Sequence, residues 1–277
     1  MTTAAARQRF RALHASGCFT LPNAWDLGSL RRIERMGFPA VATTSAGFAW
    51  SIGRDDYAIT RDLALDHFRL LTVASDLPVN ADFENGFADD PAAVAENAVL
   101  AAATGIAGVS IEDRMRNSLY EPRLAAARIR AVREALDRSA PDVILVGRSE
   151  GFLVGETEIQ ATIARLVAYA EAGADCLYAP GIATPDQITA VVAALAPKPI
   201  NLLVGSASKL TLDEISALGV RRVSVGGALA RSAWGGLMRA ARSIAEHGKF
   251  DEFASAASGR ELNALFHVEP KTPSSQR

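Results

Sequence analysis

The sequence predicts an α/β fold, a (β/α)8 TIM-type barrel, and three observations lead there. Short runs rich in Val, Ile and Leu alternate with longer Ala-, Leu-, Arg- and Glu-rich segments of helical spacing, the pattern of strand–helix units around a parallel sheet. The alternation recurs eight times. The 277 residues are also close to the roughly 250 typical of one eightfold barrel.

Strands are expected at residues 18–22, 40–44, 79–83, 108–112, 143–147, 174–179, 200–204 and 222–225. Helices are expected between and after them, at 27–36, 61–74, 91–103, 122–139, 158–172, 185–196, 212–218 and 228–246. Pro91, Pro122 and Pro185 stand at helix starts, where a missing N–H costs nothing. Gly37, Gly105, Gly173 and Gly219 stand at helix ends, where a left-handed cap turns the chain toward the next strand. Residues 1–13 carry Arg7, Arg9 and Arg11 with no acid, superficially like a transit peptide, but an amphipathic helix closing the barrel floor is the expectation. The division expected is 1–249 for the barrel with this helix, and 250–277 for a helical extension and flexible polar tail. The alternative, an open doubly wound sheet, would need G-x-G-x-x-G after the first strand, where the chain reads Pro22-Asn23-Ala24-Trp25-Asp26-Leu27-Gly28.

Composition narrows the function. With 49% hydrophobic residues, 22% charged and a net charge of −2, the chain has a sizeable core and no basic excess for nucleic acid. It contains no apolar run long enough to span a membrane. Cys18 and Cys176 are far apart, which argues against a disulfide framework or zinc cluster and fits a cytoplasmic setting.

The chemistry gathers at the predicted strand ends. Asp82 and Glu84 follow Val79-Asn80-Ala81, and Glu112 and Asp113 follow Val109-Ser110-Ile111. A strand buried on both faces has no use for charge, so acids on adjacent C-terminal tips point to a divalent metal or to acid/base work. Gly53-Arg54-Asp55-Asp56 adds a further acid, although these aspartates equally suit a cap for the helix beginning near Thr60. Without a cation, Asp56, Asp82, Glu84 and Glu112 would raise one another's pKa values. Mg²⁺, or Mn²⁺, relieves that repulsion because hard cations take oxygen ligands.

Thr43-Thr44-Ser45-Ala46-Gly47 offers a hydroxyl and N–H groups for a carboxylate or keto oxygen, or is simply a tight turn of small residues. Arg148, after Val146-Gly147, reaches the mouth from the opposite side, for a substrate carboxylate or for a structural salt bridge to the same acids. Tyr57 and Tyr178 lie near the mouth, for substrate contact or for packing. His14, His67, His247 and His267 fall on helices or in the C-terminal segment, so a histidine-ligated metal is not expected.

These segments together resemble the phosphoenolpyruvate mutase/isocitrate lyase superfamily from about Phe19 to Arg239. The resemblance is carried by Asn23-Ala24-Trp25-Asp26, Thr44-Ser45-Ala46-Gly47, Gly53-Arg54-Asp55-Asp56, Asp82-Phe83-Glu84-Asn85-Gly86, Ile111-Glu112-Asp113 and Gly147-Arg148-Ser149-Glu150. It implies a barrel whose last helix is exchanged between subunits of a homodimer or homotetramer. It also implies Mg²⁺ and a small 2-oxo or 2-hydroxy acid, with a C–C or P–C bond made or broken through an enolate. By position, Asp82 would ligate the metal directly, and Asp56, Glu84 and Glu112 would hold its waters. Ser45, with the N–H groups of Ala46 and Gly47, would bind substrate oxygens, and Arg148 a carboxylate or developing oxyanion.

Departures from the family pattern select among its reactions. The isocitrate and methylisocitrate lyases carry a catalytic cysteine in a K-[KR]-C-G-H-type loop, where this chain reads Glu112-Asp113-Arg114-Met115-Arg116-Asn117-Ser118-Leu119-Tyr120. The match to the phosphonate enzymes is partial, with Arg114 and a compressed Asn117-Ser118, and Ala179-Pro180-Gly181 stands where the mutases place a histidine. The leading expectation is an oxaloacetate decarboxylase-like carbon–carbon lyase. The alternatives are methylisocitrate-like retro-aldol cleavage, phosphonopyruvate chemistry, and a non-catalytic protein that binds a 2-oxo acid.

Overall fold

The computed structural model describes residues 1–267; the polar tail expected at 270–277 lies outside them. Strand β1 comprises Phe19–Leu21 and, past Pro22, Asn23–Ala24. It is followed by β2 (Val41–Thr43), β3 (Val79–Asp82), β4 (Gly108–Glu112), β5 (Ile144–Arg148), β6 (Cys176–Tyr178), β7 (Ile200–Leu203) and β8 (Arg222–Ser224). Neighbours pair in parallel in this order. The first half of β1 pairs with β8 and the second half with β2, which nearly closes the ring. Pro22, lacking an N–H, sits where β1 changes partners, and its carbonyl accepts from the Ala42 N–H at 2.9 Å.

The barrel helices follow from local signals. They are α2 (Leu27–Arg35), α4 (Arg61–Ala74), α5 (Pro91–Ala103), α6 (Pro122–Ser139), α7 (Ile159–Glu171), α8 (Pro185–Leu195), α9 (Leu212–Ala217) and α10 (Ala228–His247), with α1 (Thr3–Leu13) before them and α3 (Ser45–Ser51) inserted after β2. Asp26, Thr60, Asp90, Glu121, Thr184 and Thr211 each accept from first-turn N–H groups that have no partner within the helix. The three prolines occupy the first helical turn, and Gly37, Gly105, Gly173 and Gly219 adopt φ of +81°, +95°, +102° and +91°, as their spacing predicts.

Two apolar layers hold the barrel. The larger lies between strands and helices; the smaller fills the interior with Leu21, Ala40, Ala42, Ala107, Ile144, Val146 and Cys176 around Phe10 of α1. Phe10 is fully buried, while Arg7 donates to the carbonyls of Ile106 and Ala102, so α1 closes the floor as predicted.

Beyond α10, a 3₁₀ turn at Asp251–Ser255 precedes α11 (Gly259–Phe266), which packs on α2. Trp234, Leu237 and Met238 of α10 are exposed on this chain, and Ala230 is its buried residue. Among the described residues no helix is long and apolar enough to cross a membrane.

Candidate active site

Register explains why distant residues meet. Glu112, Arg148 and Tyr178 are partners across β4, β5 and β6, so their side chains stand in one row at the C-terminal mouth. Asp82 ends β3 one strand further round, and its N–H donates to Thr43 Oγ1 at 2.9 Å. Thr44 caps α3, and this places Ser45 over Asp82. The Ser45 N–H and hydroxyl both donate to Asp82 Oδ2 at 3.0 Å.

Arg148 is the cation at the centre. Its Nη1 lies 3.1 Å from Asp82 Oδ1 and 3.4 Å from Glu112 Oε2, and its Nε donates to Glu150 Oε1 at 2.5 Å. Its guanidinium also sits 5.1 Å from the Tyr178 ring centre. Three carboxylates therefore share one guanidinium. Glu84, whose φ is +48°, is buried nearby, and burial together with the charges of Asp82 and Asp56 pushes its carboxyl up to about 8. Burial also raises Glu112, against the lowering effect of Arg148. Burial and Asp82 raise Asp56. The site is short of positive charge.

That shortage fits a divalent cation. Glu84 Oε1, Glu112 Oε1 and Glu150 Oε2 are buried without hydrogen-bond partners, and the available donors are hard oxygens. Among the described residues, no three His, Cys, Asp or Glu side chains converge into a ready-made ligand cage. The fit is therefore to an ion that touches few carboxylates and keeps several waters, as Mg²⁺ does.

A cavity of about 130 Å³ opens between these groups, lined at its upper end by Ser45, Ala46, Asp56, Tyr57, Asp82, Arg148 and Tyr178. Glu84 lines a second, outer cavity under the hairpin of Arg114–Met115 and Ser118–Leu119. Glu112 stands behind Arg148 rather than on the inner wall. Gly47 is buried away from the wall, and its N–H is given to Thr44 Oγ1 at 3.2 Å, so the cap of α3 uses it. Asp113 turns outward to accept from Ser149, the Glu150 N–H and Tyr169. It fixes the loop that carries Glu150. Glu150 was present in the Gly147-Arg148-Ser149-Glu150 segment, but sequence reasoning gave it no role; its contact with Arg148 depends on a turn that spacing does not reveal.

A charged cavity at the C-terminal mouth of a parallel barrel is where this fold places an active site. The phosphoenolpyruvate phosphomutase model matches residues 10–245, and the chain belongs to that family. A solved structure from Burkholderia cenocepacia J2315, provisionally assigned as a lyase/mutase, shares 46% identity at a TM-score of 0.92, covering 96% of this chain and 97% of that one. The oxaloacetate decarboxylase of Bradyrhizobium sp. strain BTAi1 is 30% identical over 234 residues, 81% of this chain and 79% of that protein. A phosphonopyruvate hydrolase structure holding oxalate and Mg²⁺ is 26% identical at a TM-score of 0.82, covering 96% and 95% of the two chains.

Proposed function

We propose that this protein is a Mg²⁺-dependent carbon–carbon lyase acting on a small 2-oxo or 2-hydroxy dicarboxylic acid, with oxaloacetate decarboxylation as its leading reaction. The observation that carries the reading is Arg148 shared among Asp82, Glu112 and Glu150 beside a small cavity, in a mouth short of positive charge. Likeness to oxaloacetate decarboxylases at 30% identity supports it.

Asp82 would hold the cation directly, with Asp56, Glu84 and Glu112 orienting its waters. When bound, such an ion supplies Lewis-acid stabilisation of charge on substrate oxygens. The chain's own residues do the rest. Ser45 holds the Asp82 carboxylate through its hydroxyl and N–H, and the Ala46 N–H lies on the same wall to meet a substrate oxygen. Arg148 compensates the charge that collects on the keto oxygen as the C3–C4 bond breaks and CO₂ leaves, an electrostatic effect worth several kcal/mol in a low-dielectric site. The loop after β4 supplies no thiol, which disfavours the retro-aldol alternative.

The proposal extends to assembly as a homodimer or homotetramer. The exposed apolar face of α10, with Trp234, Leu237 and Met238, is the segment that exchange between subunits would cover.

The test is pyruvate formation from oxaloacetate, methylisocitrate and phosphonopyruvate in parallel, with Mg²⁺ and with chelator, after subtracting the metal-only background. Metal- and protein-dependent turnover of oxaloacetate supports the reading. Turnover of another substrate alone moves the reaction, and binding of 2-oxo acids without any turnover supports a sensor.

A further inference from the structure

We propose that the floor of the barrel cavity is a binding site for one small monovalent inorganic anion, a halide, held by the Arg222 guanidinium. The site lies beneath the mouth, and the inference stands whether or not the lyase reading does.

Arg222 is a buried cation without a counter-charge. It is 2% exposed, and among the described residues no carboxylate pairs with it. Its Nε donates to Asn201 Oδ1 at 2.8 Å, and its Nη1 is shared between Asn80 Oδ1 and His14 Nε2, each at 3.3 Å. All three acceptors are neutral. His14 Nδ1 lies 2.8 Å from the Phe10 carbonyl, so Nδ1 carries the ring's hydrogen and Nε2 is the bare nitrogen that accepts. The ionisable groups close enough to act on Arg222 are Cys176 and Tyr178, and burial keeps both protonated at neutral pH. A guanidinium does not shed its proton to escape such surroundings, so the charge stays and calls for an anion.

The cavity leaves room for one. Arg222 Nη2 makes no hydrogen bond among the described residues and is not one of the sealed, unpartnered polar atoms of the interior; Arg222 lines the central cavity of about 130 Å³. One water needs about 10–15 Å³ on the same measure, so a halide fits with waters beside it. Asn80, Ser110, Tyr178, Asn201 and Ser224 line the same space and offer amide and hydroxyl groups to an anion. Asn80 and Asp82 are two residues apart on β3 and share its inner face, which sets the Arg222 contact about 7 Å below the position of Asp82.

Two cations line this cavity, and they differ in what faces them. Arg148, at the mouth, is matched by Asp82, Glu112 and Glu150. Arg222, at the floor, is matched by none. An anion that enters is therefore drawn past Arg148 to Arg222. Water alone would hydrate Nη2 without cancelling its charge. A halide needs no tether to the mouth, whereas a substrate seated at Asp82 would have to reach a whole side-chain layer down.

The test uses the intact protein in two salts. Crystals soaked in bromide are expected to show an anomalous peak within hydrogen-bond distance of Arg222 Nη2. In solution, the wild-type melting temperature is expected to rise by about 3 °C or more when gluconate, too large for the floor, is exchanged for about 100 mM bromide at constant ionic strength. Asn201→Asp puts a carboxylate where Arg222 Nε already finds an oxygen, and so supplies the missing charge from within. It is expected to melt at or above wild type in gluconate and to lose both the bromide shift and the peak; comparison in the same salts cancels general salt effects. Asn80→Asp does the same at Nη1 and serves in its place if Asn201→Asp fails to fold. A wild-type melting temperature equal in the two salts, or bromide peaks confined to the surface, meaning adventitious ions only, overturns the site. A bromide shift that survives Asn201→Asp puts the anion elsewhere and overturns it too. If oxalate gives the shift that Asn201→Asp removes, and bromide gives none, the guanidinium takes an organic carboxylate and the halide assignment falls.

Discussion

Arg148 Nη1 lies 3.1 Å from Asp82 Oδ1, and the other oxygen of the same carboxylate accepts two hydrogen bonds from Ser45. The pair joins β3 to β5 across the intervening β4 and holds the mouth in shape. Arg148 is also the counter-charge to Glu112 and Glu150. Arg148→Met would leave three acids together with no guanidinium between them. Removing one partner of a buried ion pair costs about 3–5 kcal/mol, so denaturant melts should show a loss of that order. Arg148→Lys restores a charge but not the fork, and should recover most of the stability while leaving kcat down roughly 10²- to 10³-fold.

Acid should destabilise the protein through buried histidines. Burial pushes His67 down to about 4, with Asp26 partly opposing, and pushes His14 down to about 3, helped by Arg222. An unfolded histidine takes its proton near pH 6.5, roughly the ordinary value, whereas these stay neutral in the fold. Between that pH and about 4 the unfolded chain binds more protons, so stability is full above 6.5 and falls as pH drops through the window. The slope is at most about 1.4 kcal/mol per pH unit for each group. The raised carboxyls of Glu84 and Glu112 act in the opposite sense over this window, so the test is a difference: in urea unfolding at pH 7, 6 and 5, His67→Phe, which keeps a ring stacked on Phe48, should gain stability relative to wild type as pH falls.

Much of this architecture was legible because its signals are local. Pro91, Pro122 and Pro185 mark helix starts whatever the tertiary context, and the helix-end glycines are needed wherever φ turns positive. Asp82 and Arg148 could be placed at one mouth because strand ends converge in a barrel. What escaped was set by contacts remote in sequence. The segment from Ser45 to Ser51, small and glycine-containing, gives little helical signal, yet Thr44 caps it and it forms α3, which takes the Gly47 N–H out of the candidate site. Asn80, Asn201 and Arg222 stood inside apolar strand runs as the visible sign of a polar barrel interior; their joining in one network depends on register between strands.

The floor should be separable from the chemistry. Phe10 packs into the barrel interior from α1, beneath the cavity. Phe10→Ala should cost about 3–5 kcal/mol by the loss of a buried ring and the void it leaves. Melting temperature should fall while KM for the substrate stays within about twofold of wild type.

Assembly can be probed on α10. Leu237 is 57% exposed on this chain, so Leu237→Asp should leave the monomer fold intact by circular dichroism. If α10 is covered by a partner subunit, the same substitution should shift the mass measured by analytical ultracentrifugation toward the monomer.

The most direct measurement of the central claim is oxaloacetate decarboxylation by wild type and Asp82→Ala, each titrated with Mg²⁺ and corrected for the reaction of the metal alone. The expected result is saturable, protein-dependent turnover in the wild type that is lost, together with its Mg²⁺ dependence, when Asp82 is removed. Equal Mg²⁺-dependent turnover by the two proteins would contradict the placement of the cation at Asp82 and the chemistry derived from it.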